Sequence, residues 1–100
     1  MKVNINSVHF KADRKLLAFI EQKVDKLSVF YDGIIGSDVS LKVTNKPERE
    51  NKLTEIRLNV KGYDLYAKKE CNTFEEATDQ AVEALRRQLK KHKEKTRKKY

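Results

Sequence analysis

Residues 38–69 read DVSLKVTNKPERENKLTEIRLNVKGYDLYAKK, and the period of their apolar residues decides the fold. Val39, Leu41 and Val43 alternate with Asp38, Ser40, Lys42 and Thr44. After the polar segment 45–51, Ile56, Leu58 and Val60 alternate with Glu55, Arg57, Asn59 and Lys61, and Tyr63, Leu65 and Ala67 share a face beyond them. A period of two places one apolar face on each of three strands. Pro47, which could not donate to a sheet ladder, falls in the polar segment, and Lys61-Gly62 forms a tight turn. Three strands with such short connections form an antiparallel meander.

Working outward, residues 2–8 (KVNINSV) alternate in the same way, with Val3 and Ile5 on one face, and predict a short strand. Asp13 is placed to cap a helix over about 14–30, whose stripe is Leu16, Leu17, Ile20, Val24, Leu27 and Tyr31. Asp32-Gly33 is expected to end this helix, with the glycine in the left-handed conformation. A second helix starts near Phe74, with Asn72 or Thr73 as cap and Glu75 and Glu76 in its first turn, where the helix dipole favours acids. Its stripe is Phe74, Ala77, Thr78, Ala81, Val82, Leu85 and Leu89, continued by His92 and Thr96. The order β-α-β-β-β-α predicts an α+β fold, a four-stranded sheet with both helices on one face and water on the other. One hundred residues suit one domain, here 1–100, with a basic helical extension from about residue 86.

The charge is unevenly spread. Residues 86–100 (RRQLKKHKEKTRKKY) hold nine lysines and arginines against Glu94 alone, so this segment carries the chain's whole formal net charge of +8. On a helical wheel Arg86, Lys90, Lys93 and Arg97 fall on one flank, and Arg87, Lys91 and Lys98 on the next, opposite the apolar stripe. Such a ridge suits a phosphate backbone, an anionic membrane or an acidic protein. A solvated tail whose cations complement the helix dipole is the plainer reading, but it accounts for one or two turns rather than four. Membrane binding asks for bulky apolar residues beside the cations, and none occurs between Leu89 and Tyr100. Lysines outnumber arginines on the ridge, which favours gripping a backbone over reading bases.

Little points to chemistry. His9, His92 and the single Cys71 show no metal-ligand spacing, the three glycines form no phosphate loop, and Glu75-Glu76 suit a cap better than acid–base work. The reading is therefore a binding protein, not an enzyme, without metal or cofactor. Cys71 fits a small buried hydrophobe, and His92 fits either the margin of the core or a polar contact with RNA. Tyr66 falls on the wetter face of its strand without an aromatic partner on Ser40, Lys42, Arg57, Asn59 or Lys61, a poor stacking platform. No run of 18 apolar residues is present, MKVNINSV is not a secretory signal, and a lone cysteine suits a reducing compartment, so a cytoplasmic protein is expected.

RQLKKHKEK at 87–95, preceded by TFEEATDQAVEAL at 73–85, closely resembles the last helix of the ribosome hibernation promoting factors and ribosome-associated inhibitor A. VNINSVHF, LLAFIEQKVDKLSVFY and SLKV resemble the same family, also described as sigma-54 modulation protein-like, in the same order. The resemblance implies a fold similar in its later elements to the double-stranded-RNA-binding domain. It also implies binding to the small ribosomal subunit and its rRNA at the decoding region, where messenger and transfer RNA would pass, with translation silenced in stationary or starved bacteria. Arg87, Lys91, His92, Lys93 and Lys95 match the family's motif, Lys23 and Lys26 its first helix, and Lys42 its second strand; the wheel adds Arg86, Lys90 and Arg97. The basic end at Tyr100 resembles the short promoting-factor class, which acts beside a separate modulation factor, and a monomer is expected off the ribosome. The family's usual acid and tyrosine before the last helix are replaced here by Asn72 and Phe74. A general binder of double-stranded or structured RNA and an adaptor for an acidic protein are the alternatives.

Overall fold

The structure, a computed structural model, describes residues 1–44 and 50–97, with side chains as far as Lys93. The elements follow the expected order: β1 (Lys2–Ser7), α1 (Arg14–Phe30), β2 (Ile34–Val43), β3 (Lys52–Val60), β4 (Tyr63–Cys71) and α2 (Phe74–Arg97). The sheet order is β1-β2-β3-β4. β2, β3 and β4 form the antiparallel meander, with Val39 opposite Ile56 and Ile56 opposite Ala67. β1 runs parallel to β2, Ile5 beside Val39, a pairing that needs a crossover, which α1 supplies. Of the polar β2–β3 connection, residues 45–49, Pro47 included, lie outside the described residues.

The alternation does what its period requires except at Val43, the last residue of β2, which is exposed rather than buried with Val39 and Leu41. Val39, Leu41, Ile56, Leu58 and Val60 are buried under the helices, while Asp38, Lys42, Arg57 and Asn59 face water. Ile20, Val24 and Leu27 from α1 and Ala81, Leu85 and Leu89 from α2 close the same core. α2 packs on β3 and β4 and against α1, which covers the β1–β2 side. Ala77, Ala81, Leu85 and Leu89 are all fully buried, so the stripe of α2 passes from small to large side chains along the helix. Within the core, the buried hydroxyls of Thr54 and Thr78 face each other at 3.5 Å.

Helix starts follow the capping rules. Asp13 Oδ1 accepts the Leu16 N–H at 2.8 Å, and Thr73 rather than Asn72 caps α2, its Oγ1 accepting the Glu76 N–H at 3.1 Å. Thr73→Ala is expected to lower stability by about 1 kcal/mol, read as a shifted urea midpoint with an unchanged slope.

The end of α1 differs from expectation. Its cap is Tyr31, in extended conformation at φ −148°, ψ 121°, with its N–H still bonded to the Leu27 carbonyl. Gly33 is needed for space instead: a Cβ there would stand 2.6 Å from the Tyr31 ring. Left-handed backbone among the described residues occurs at Gly62 (φ 91°), in the β3–β4 turn, and at His9 (φ 64°). A non-glycine residue there carries a cost of about 1–2 kcal/mol. The next residue holds the loop in place, since Phe10 stacks on Phe74 with ring centroids 5.2 Å apart and planes 9° from parallel.

Candidate nucleic-acid interface

α2 carries the ridge because its buried stripe leaves the opposite side to water. Leu85 and Leu89 are fully buried, and Arg86, Arg87, Lys90, Lys91 and Lys93 are all exposed. The helix continues to Arg97, so Lys95 and Arg97 lie within it, although their side chains, like Lys98, fall outside the described residues. At 5.4 Å per turn, successive basic pairs match the reach of a phosphate chain.

Several cations are lightly held by acids. Arg86 and Arg87 both approach Glu83, at 3.7 and 3.9 Å, and Lys23 of α1 reaches across to Asp79 of α2 at 3.2 Å. Exposed pairs of this kind contribute about 0–1 kcal/mol each. They keep the cations oriented and give way readily to a phosphate. Aromatic rings from α1 add a second kind of support: Lys23 Nζ lies 5.5 Å from the Phe19 centroid, and Arg86 and Lys93 lie 5.6 and 5.9 Å from that of Phe30. The two helices therefore bring Lys23, Arg86 and Lys93 onto one two-helix surface. Lys26 is exposed on α1, one turn before Phe30.

His92 has a different setting. Half-buried, its ring lies 4.3 Å from that of Tyr63 and 6.1 Å, edge-on, from that of Tyr31. Burial, and after it the Tyr31 hydroxyl, push the Tyr63 phenol up to about 12. The contact pins the last described turn of α2 to β4 and to the end of α1. Lys42 stands apart from the ridge, on the sheet face turned away from the helices.

That open face is polar but mixed in sign. Asn4 donates to Asp38 at 3.2 Å, and Tyr66, whose strand neighbour is Arg57, donates to Glu55 at 2.8 Å. The Glu55 carboxylate raises the Tyr66 pKa and holds its ring in a network. Cys71 is buried, and burial, then Glu76, raise its thiol pKa, which suits packing rather than nucleophilic work. Among the described residues no three His, Cys, Asp or Glu side chains cluster as metal ligands, and no helix is long and apolar enough to cross a membrane.

The family described as Sigma 54 modulation protein / S30EA ribosomal protein matches residues 3–97. The chain belongs to this family. Among the similar proteins are the ribosome hibernation promoting factors of Pseudomonas putida and Escherichia coli K12. Each is 32% identical over 95 residues, covering 95% of this chain and 89% and 96% of theirs. In structure the chain is similar to a ribosomal subunit interface protein from Coxiella burnetii (TM-score 0.81, 17% identity, 93% of this chain and 98% of that one). It is also similar to the N-terminal domain of Protein Y from Thermus thermophilus (TM-score 0.79, 22% identity, 92% and 99%). At these identities the likeness shows a shared fold.

The aromatic component and the pairing acids were missed in the sequence. Glu83 stands four residues before Arg87, a legible helical pair. Asp79 and Phe30 become neighbours of Lys23 and Lys93 only when α1 packs on α2.

Proposed function

We propose that this protein is a ribosome hibernation factor that lodges on the small ribosomal subunit at the decoding region, occupying space that messenger and transfer RNA require. The observation that carries the reading is the exposed cationic side of α2, backed by a buried stripe that ends at Leu89 and by the His92–tyrosine contact. Family membership and the names of its relatives support ribosome association. Arg86, Arg87, Lys90, Lys91 and Lys93 grip phosphates, with Lys95 and Arg97 extending the track and Lys23 and Lys26 contributing from α1. Arginines can hold a phosphate with two parallel hydrogen bonds, and lysines act as point charges on flexible stems. His92 serves chiefly to hold the helix in place. Lys42 would need a second contact surface on the ribosome. The rRNA is recognised by shape and phosphate positions, because an A-form helix hides its base edges in a deep, narrow groove. Inhibition follows from occupancy, with no bond made or broken.

Cosedimentation with purified small subunits tests this. With roughly six phosphates engaged, affinity should fall by about three orders of magnitude between 50 and 200 mM salt. Bound protein should also compete with messenger and initiator transfer RNA and suppress translation in a reconstituted system. Equal affinity for isolated RNA duplexes and for subunits would instead favour a general RNA binder. Tighter capture by an acidic protein would favour an adaptor.

A further inference from the structure

At the C-terminal end of α1 the surface changes character. Val29 is 88% exposed, and beside it the half-buried Phe30 packs against the edge of the core while Arg86 and Lys93 lie near its ring. These two residues, with Tyr31, Asp32, Gly33 and Lys93, line a hollow of about 360 Å³. That is within the span of about 300–1,000 Å³ common for small-molecule sites. The hollow lies at the edge of the ridge, because Lys93 belongs to both.

We infer that this hollow receives a single unpaired nucleobase, stacked on Phe30, of the same RNA whose phosphates lie along α2; the inference rests on the RNA-binding reading above. The chemistry of the lining separates base from phosphate. Val29 and Phe30 give the hollow an apolar and an aromatic side chain, and any base can stack on an aromatic ring. Asp32 at the rim repels a phosphate and can accept a hydrogen bond from an exocyclic amine of a base. Arg86 and Lys93 supply the positive charge that the strand on either side of a turned-out base requires, at 5.6 and 5.9 Å from the ring centroid. In the free protein these cations rest against the ring. When a base takes that face they move to the flanking phosphates, exchanging a weak cation–π contact for a charge-assisted hydrogen bond. The ring therefore stores the cations beside the place where they are used. It also gives the ridge a preference for RNA with a bulge or loop over a continuous duplex, which phosphate contacts alone do not provide.

The test compares two RNA hairpins at matched low salt, one carrying a single bulged adenine and one fully paired. The wild-type protein should prefer the bulged hairpin by about tenfold, in keeping with the stacking of one base on an aromatic ring. Phe30→Leu keeps most of the apolar volume and removes the aromatic face, so it should bring the two affinities within about twofold of each other, whatever it does to their common level through Arg86 and Lys93. A preference that survives in Phe30→Leu overturns the inference, as does equal affinity, or none, of the wild type for the two hairpins. Should Phe30→Leu fail to fold, nuclear Overhauser contacts between the Phe30 ring protons and H2 or H8 of the bulged adenine in the wild-type complex decide the matter, and their absence overturns it. Cosedimentation with small subunits separates the two readings: if it persists without any bulge preference, only the base site is lost. If it is lost too, the RNA-binding reading falls with it.

Discussion

Changing Arg87, Lys91 and Lys93 together to glutamate should abolish cosedimentation with small ribosomal subunits at physiological salt. Hydrogen bonds to charged groups contribute about 1.5–3 kcal/mol each, so losing three should weaken binding by about three powers of ten or more, with repulsion from the new carboxylates adding to this. All three side chains are exposed, and none lines the core, so the urea midpoint should stay near the wild-type value. The measurement is a pair: far-UV circular dichroism and urea unfolding to establish the fold, then sedimentation with subunits. A folded triple variant that cosediments like the wild type would show that the ridge is not the contact surface. The variant should also relieve inhibition of translation in the reconstituted system.

Leu89→Ala should have the largest effect on stability. Leu89 is fully buried in the core, and truncating such a leucine costs about 2–5 kcal/mol through lost burial and the cavity left behind. Its position gives it a second effect. Beyond it, the only described side chain of α2 that turns inward is His92, against Tyr63 and Tyr31, so the basic turns lose most of their attachment when Leu89 is shortened. Under conditions where the variant remains folded, subunit affinity should fall although no cation has been removed. Hydrogen exchange should show the amides of the last described turns losing protection before those of the first turns. Unchanged protection and affinity in Leu89→Ala would mean that the grip of α2 on RNA does not depend on its rigidity.

Much of this architecture is legible along the chain because apolar period and local cap chemistry are short-range signals. The alternation around Val39, Ile56 and Ala67 names the inward face of each strand, and the structure buries those residues. Thr73 and Asp13 cap as their chemistry suggests. Signals that depend on packing do not carry as well. β2 begins at Ile34, earlier than alternation indicates, because a register shift between Ile34 and Gly36 breaks the period and leaves Ile35 exposed. Gly33 reads as a left-handed helix stop, but the Tyr31 ring makes it a matter of space. On the candidate surface, the wheel separates the exposed cations of α2 from its buried stripe, since helical geometry alone decides that. It cannot foresee that Phe30 comes to lie between Arg86 and Lys93, or that Lys23 meets Asp79, because those neighbours come from another helix. The strand alternation, by contrast, already sets Lys42 on the far side of the sheet from the helices, and the structure has it there.

The concentration of cations in the closing turns of α2 has a kinetic corollary. Excess positive charge at one end of an otherwise balanced molecule displaces its centre of charge from its centre of mass, giving it a permanent electric moment. In the field of a polyanion the protein turns that end forward while still diffusing, so a larger share of collisions arrive correctly oriented. Added salt shortens the range of this torque, so the arrival rate should depend strongly on ionic strength even before any contact forms.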